Sequence, residues 1–232
     1  MPLWTLNQVT LRGATRNRLD SVSLEILPGV TAVVGESGAG KSSLLGLLVG
    51  LDRPDSGQLI CSVKPVGDRL PVYWLPPGNG LWSPLTVREH LTIVSPVGGT
   101  NSPRIDGLLL KFDLLDLVKS RPDDLSQGER ARLAMARALA SEAEVLVLDE
   151  PLVHTSITKN EGYWKIVRDT CRESATSLVI ATHDLAAVQR EAERIVILDR
   201  GRVVFQGDWK LEDESAAEGI AKDLLNRIRM AE

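Results

Sequence analysis

An α/β fold with a mostly parallel sheet follows from three observations on this 232-residue chain. Short aliphatic and β-branched runs recur along it, amphipathic segments of helical period separate the later runs, and a glycine-rich turn, GESGAG, joins the run TAVVG directly to the helical KSSLLGLLVGL. Composition agrees with this: 43% hydrophobic and 25% charged residues describe a globular chain long enough to bury a core. A single domain over residues 1–232, carrying one insertion, is the expectation.

In order, WTLNQVTL, SVSLEIL, TAVVG and GQLICSV read as strands set apart by the turn-rich pieces LPG and RPDSG, with KSSLLGLLVGL as the one helix among them. The middle changes character. PPGNG and SPVGGTNSPRID are loops, whereas TVREHLTIV and IDGLLLKFDLLDLV place apolar residues at helical spacing, which predicts a helical insertion over about 78–135. GERARLAMARALASEA is an amphipathic helix with Arg130, Arg132 and Arg137 among small apolar residues, and it leads into the strand EVLVLD. Helix GYWKIVRDTCRES, strand SLVIATHD, a short helix and the hairpin IVILDRGRVVFQG follow, the hairpin turning at Asp199, Arg200 and Gly201. The acidic tail LEDESAAEGIAKDLLNRIRMAE reads as an exposed helix over about 212–232. There is no internal repeat, low-complexity tract or interdomain linker.

Charge and cysteine content exclude some classes. A net charge of −4 lacks the basic footprint of a protein held to phosphate backbones, so nucleic acid is not an expected partner. Cys61 and Cys171 lie far apart without metal spacing, as in a reducing compartment, and both read as small buried hydrophobes. The start MPLWTLNQVT has no basic and then apolar leader, and the apolar run Leu44–Leu51 is interrupted by Gly46 and Gly50. If the protein works at a membrane, another chain is expected to supply the membrane part.

GESGAGKSS, Gly35 to Ser43, fits G-x-x-x-x-G-K-[ST] with Gly35, Gly40, Lys41 and Ser42 at the fixed places, between a strand and a helix as that motif requires. The chemistry needs these types. Glycines let successive N–H groups of Glu36, Ser37, Gly38, Ala39 and Gly40 turn toward an anion, and the helix beginning at Lys41, Ser42 and Ser43 adds its positive end. Lys41 reaches the β and γ phosphates, and the Ser42 hydroxyl can join a Mg²⁺ shell. The expected ligand is a nucleoside triphosphate.

VLVLDEPLVHTS, from Val145 to Ser156, ends a hydrophobic strand on two acids. A phosphate-loop protein holds its metal with an acid at such a strand end, here Asp149. Glu150 is the next residue and points elsewhere, as alternation demands, which suits a group that orients or deprotonates an attacking water.

Further along, LSQGE (Leu125 to Glu129) precedes RARLAMARAL, and ATHD closes a later strand at Ala181 to Asp184. Alone, LSQGE reads as a helix N-cap. Taken in order, the phosphate loop, LSQGE, VLVLDEP and ATHD resemble the nucleotide-binding subunit of ATP-binding cassette (ABC) transporters over essentially the whole chain. The resemblance implies an ABC-type phosphate-loop ATPase with an N-terminal antiparallel β-subdomain and a helical insertion bearing the signature. It implies ATP and Mg²⁺ as ligands, a second copy of the chain as head-to-tail partner, an integral-membrane permease subunit, and a cytoplasmic place on the inner face of the membrane. Ser126, Gln127, Gly128 and Glu129 stand where the family's LSGGQ faces the γ-phosphate of the opposite subunit. His183 stands at the family's switch histidine, which contacts the γ-phosphate and the region of the catalytic acid, a role the resemblance gives to Glu150. His90 and His154 receive no role.

Three positions depart from the family pattern. The glutamine expected after YWL falls at about Pro77, and no glutamine occurs between Gln58 and Gln127. Either a backbone carbonyl or water stands in for it or metal coupling weakens, while nearby Trp74 and Trp82 are either a face for a coupling helix or core residues. No aromatic lies near Leu11–Gly13 to stack on adenine, which leaves Trp4, Arg12 or nothing. The aspartate that crosses between subunits is replaced by Ser156, after Val153, His154 and Thr155. A soluble ABC-type ATPase of an assembly or repair complex and a weakly hydrolysing regulatory subunit are the competing readings. Retention of Glu150 and His183 argues against the latter.

Overall fold

The structure, a computed structural model, describes residues 1–67, 69–96, 102–152, 157–183 and 192–209. In chain order its elements are β1 (Trp4–Arg12), β2 (Asn17–Ile26), β3 (Val30–Val34), α1 (Lys41–Leu48), β4 (Ser56–Cys61), β5 (Val72–Leu75), α2 (Val87–Thr92), α3 (Pro103–Lys111), α4 (Gln127–Ala140), β6 (Val145–Asp149), α5 (Ile157–Glu173), β7 (Ser177–Thr182), β8 (Arg194–Asp199) and β9 (Arg202–Asp208). They divide into two compact units, Met1–Ser62 with the described residues from Leu178 onward, and Val63–Ser177.

The first unit holds an antiparallel sheet of order β2-β1-β4 and the strand run β7-β3-β8-β9. In that run β7, β3 and β8 are mutually parallel, and β9 closes an antiparallel hairpin on β8. The hairpin turns where the sequence places it. Asp199 pairs with Arg202, and both turn residues are left-handed, Arg200 at φ 44° and Gly201 at φ 82°, the backbone a two-residue turn needs to match strand twist. β3 is apolar and buried on both faces, as parallel strands are. Cys61 ends β4, an edge strand, and is exposed rather than buried as its apolar character suggests; Cys171 is buried. β2 begins at Asn17, earlier than the SVSLEIL run.

The second unit is mainly helical, with β5 and β6 paired in parallel. β5 has no clear local signal, since its four residues owe their extension to β6. The helix predicted across IDGLLLKFDLLDLV stops at Lys111, Asp113 turns left-handed at φ 53°, and a single 3-10 turn follows at Leu115–Leu117. Burial explains the break. Ile105, Leu108, Leu109 and Phe112 share one helix face, but Leu114 would stand about 200° round from Phe112 in a continuous helix, and both are 0% exposed. α5 likewise begins at Ile157, ahead of the predicted Gly162. The predicted short helix after ATHD, the tail helix of 212–232, and positions Val153 to Ser156, with His154 among them, lie outside the described residues.

Candidate functional site

The phosphate loop lies in the first unit, between β3 and α1. Gly38 and Gly40 are left-handed at φ 83° and 107°, and a Cβ on Gly35 would sit 2.4 Å from the Leu198 carbonyl oxygen. At Gly40 it would meet the Arg18 carbonyl at 2.7 Å. The motif's fixed glycines are therefore sterically required. Gly40 is the N-cap of α1, which has no side-chain cap and no acid in its first turn, so no carboxylate there offsets the positive end of the helix dipole. Glu36, Ser37, Gly38 and Ser42 are exposed, Gly40 and Ser43 half-buried, and Ala39 buried.

Lys41 is only 6% exposed. Its ammonium folds back over the loop, where Nζ donates to Gly35 O at 2.8 Å and to Glu36 O at 3.1 Å. An ammonium held by neutral carbonyls on a flexible stem is poised to exchange them for an anion.

Two further residues of this unit frame the loop. Val34 of β3 pairs in register with Thr182 of β7, so exposed His183 follows at the strand end beside Gly35. Arg16, in the turn between β1 and β2, donates from Nη2 to Gly38 O at 3.3 Å. Nothing in its sequence neighbourhood marks it. Of the base-stacking alternatives, Trp4 is excluded, because it is 0% exposed in the core, whereas Arg12 is exposed.

The two acids lie in the second unit, at the end of β6. Asp149 is 2% exposed and Glu150 half-buried. Glu150 adopts φ 50° and Leu152 φ 59°, left-handed values that cost a residue with a Cβ about 1 kcal/mol and persist where the surroundings enforce them. The strand thus ends abruptly at Asp149, and Glu150 leaves on a different heading. Leu75 of β5 pairs with Leu148, so the chain following β5, Pro76 and Pro77, leaves that strand alongside the Asp149 end of β6.

Ser126 is the N-cap of α4 and closes a capping box with Glu129. The Ser126 N–H and hydroxyl donate to Glu129 Oε2 at 2.8 and 2.7 Å, and the Glu129 N–H donates to Ser126 Oγ at 3.3 Å. These bonds hold the Glu129 carboxyl below its ordinary range, fixing it as an anion. The N-cap reading of LSQGE is therefore correct as local structure, and it leaves Ser126 and Gln127 exposed at the helix start. Trp82 is 48% exposed. His90 is buried against it.

Among the described residues no helix is long and apolar enough to cross a membrane, and no cluster of three or more His, Cys, Asp or Glu side chains forms a metal site.

Comparison with known proteins bears on this arrangement. The family model described as "ABC transporter" matches residues 19–153. A methionine import ATP-binding protein of Mesorhizobium japonicum is 30% identical, covering 94% of this chain and 64% of its own length. A probable sulfate/thiosulfate import ATP-binding protein of Chlorella vulgaris is 33% identical over 87% of this chain and 89% of its own. A thiamine import ATP-binding protein of Salmonella choleraesuis is 32% identical over 82% and 85%. Among solved structures, a dimeric bacterial ABC transporter cassette superposes with a TM-score of 0.76 at 24% identity, covering 90% of this chain and 99% of that one. An ATP-binding subunit of an ABC transporter gives 0.78 at 22%, covering 98% and 99%. The structural likeness speaks for the fold alone, an α/β phosphate-loop fold with parallel strands and an added antiparallel sheet. Family model and sequence relatives together carry the assignment: this chain belongs to the ABC transporter family, among its ATP-binding subunits.

Proposed function

We propose that the chain binds and hydrolyses Mg-ATP, pairs head to tail with a second copy around two nucleotides, and by closing and reopening drives a separate integral-membrane permease from the cytoplasmic face. The observation that carries this is the phosphate loop, with glycines where a Cβ would collide and a lysine folded onto loop carbonyls. The relatives named as import ATP-binding proteins support the transport part, and the dimeric cassette supports pairing.

The residues divide the work. Backbone N–H groups of Gly35 to Ser43 and the start of α1 bind the phosphates, and Lys41 leaves the Gly35 and Glu36 carbonyls for the β and γ oxygens. Ser42 and Asp149 offer a hydroxyl and a carboxylate, the hard oxygen donors that Mg²⁺ takes. When bound, that ion supplies positive charge to the terminal phosphates. Glu150 orients the attacking water and accepts its proton, in line with the bond to the leaving diphosphate. His183 holds a γ-phosphate oxygen, and the partner copy presents Ser126 to Glu129 at a helix start to the same group. With Ser126 Oγ and the Ser126 and Glu129 N–H groups already donating within the capping box, the backbone N–H groups of Gln127 and Gly128 are the better donors. Two assays test this. The purified protein is expected to release phosphate from ATP in a Mg²⁺-dependent manner, and affinity isolation is expected to recover a multi-spanning membrane protein. Recovery with soluble partners alone overturns the transport reading.

A further inference from the structure

Helix α4 carries an arginine that the nucleotide chemistry leaves unused. Arg137 is 2% exposed, where an unpartnered charge is costly; its Nε finds no hydrogen-bond partner among the described residues, but both terminal nitrogens do. Its Nη1 donates to Gly80 O at 2.7 Å and its Nη2 to Asn79 O at 2.8 Å. The guanidinium carbon lies 4.8 Å from the Trp82 ring centroid and 6.0 Å from that of Tyr73, within cation–π reach.

The acceptor side is shaped for that cation. Gly78, Asn79 and Gly80 run through φ of 78°, 70° and 53°, and only glycine and asparagine take such a left-handed run cheaply. A Cβ on Gly80 would meet Pro76 Cγ at 2.8 Å. PPGNG is therefore a turn whose consecutive carbonyls converge on one guanidinium.

His90 closes the loop from its far end. Its Nε2 accepts the Trp82 backbone N–H at 3.0 Å and its Nδ1 lies 2.8 Å from Thr86 O. A ring that accepts at Nε2 carries its proton on Nδ1, so it is neutral and donates to Thr86. The ring also stacks on Trp82, with centroids 5.8 Å apart and planes at 13°.

We infer that Arg137 is a positioning residue which fastens the loop Pro76–Leu85 to α4, while His90 holds the far end of that loop to the start of α2, so that the loop carrying Pro77 and the helix bearing Ser126 to Glu129 move as one body. A helix of 14 residues is a stiff rod of about 21 Å, so a push on half-exposed Trp82 is carried to the Ser126 end. The consequence for turnover rests on the proposed ATPase function; the fastening itself does not. The groups facing His90 are Arg137 from α4, Trp82 from the loop, and Glu89 and Thr86 from its own helix start. Burial, aided by the Arg137 charge, keeps its titration below the ordinary 6.5, and protonation removes the acceptor of the Trp82 N–H.

The test is residue-level hydrogen exchange on the full nucleotide-free chain, each rate divided by its intrinsic value, together with ATP kinetics. Arg137→Lys, which keeps the charge and loses the planar fork, is expected to cut protection of the Trp82 amide about tenfold. It is expected to lower kcat about tenfold while KM for ATP stays within about twofold. In the wild type, Trp82 protection is expected to fall as pH drops from about 7 to about 5; His90→Gln, which keeps an acceptor, should flatten that profile and rescue protection at low pH. Unchanged Trp82 protection in Arg137→Lys overturns the inference, as does a raised KM with intact kcat. Should Arg137→Lys not fold, Gly80→Ala disrupts the same carbonyl turn, and undiminished Trp82 protection there overturns it equally. A wild type without ATP turnover defeats the ATPase reading, and the exchange rates then decide the fastening alone.

Discussion

GESGAG after β3 and PPGNG after β5 solve one backbone problem toward opposite ends. Each leaves the end of a parallel strand, each relies on left-handed residues, and each turns two carbonyls onto a cation. In the first, the cation is Lys41, at 2.8 and 3.1 Å from Gly35 and Glu36. In the second it is Arg137, at 2.7 and 2.8 Å from Gly80 and Asn79. Lys41 follows directly on its own loop, on a flexible stem, beside exposed Glu36, Ser37 and Gly38. Arg137 comes from another helix, is planar, and is covered by aromatic rings. Glycines mark where a backbone can turn; the cation they surround, a lysine at the next residue in one loop and a planar arginine from another helix in the other, separates the two.

The largest expected effect lies just past β6, at Glu150, the residue proposed to orient the attacking water. Glu150→Gln is expected to retain ATP binding while steady-state phosphate release drops about a thousandfold; a loss under about tenfold would remove the water-orienting role. The next contrast sets the cations against each other. Lys41→Ala should weaken ATP binding about thirtyfold by calorimetry, the worth of a charge-assisted bond. Arg137→Ala should instead leave affinity intact and cost about 3 kcal/mol in urea unfolding, because partly buried carbonyls lose their donor and a buried side chain its packing. Equal effects of the two on affinity would erase the distinction.

Glycines of the second loop give a smaller and sharper comparison. Gly80→Ala combines left-handed strain with the Pro76 ring at 2.8 Å, and about 2 kcal/mol of destabilisation is expected. Gly78→Ala, with no atom within 4 Å of the new Cβ, should cost about 1 kcal/mol, from strain alone. Smallest is the pH term. His90 is held below its ordinary 6.5 chiefly by burial, so the unfolded chain binds the proton more readily. Its contribution to stability is present above about pH 6.5 and is lost as pH falls toward the folded value. Thermal unfolding of wild type and His90→Gln between about pH 7 and 5 should diverge on the acid side only.

Much of the fold and of the candidate site was legible in the chain because the governing chemistry is local. Strand periodicity, the glycine loop between strand and helix, the S-x-x-E box opening α4 and the turn at Asp199–Gly201 each depend on residues a few positions apart. Elements whose form depends on distant partners were not legible. VYWL is extended because β6 lies beside it. The helix after Pro103 breaks so that Leu114 can be buried. Cys61, apolar in type, is exposed at a sheet edge, and Trp4 is core rather than a base-stacking face.

By itself the sequence determined the α/β class, the phosphate loop and the order of its motifs, since each follows from backbone sterics and short-range periodicity. Only the tertiary structure decided what holds each charge. Arg137 reads in the sequence as one of three similar arginines on a helix; 2% exposure and two loop carbonyls make it a fastening. Glu150 reads as one of two adjacent acids; its left-handed backbone sets it apart from Asp149. Desolvation and close approach are properties of the packed chain, and they assign different work to residues of the same type.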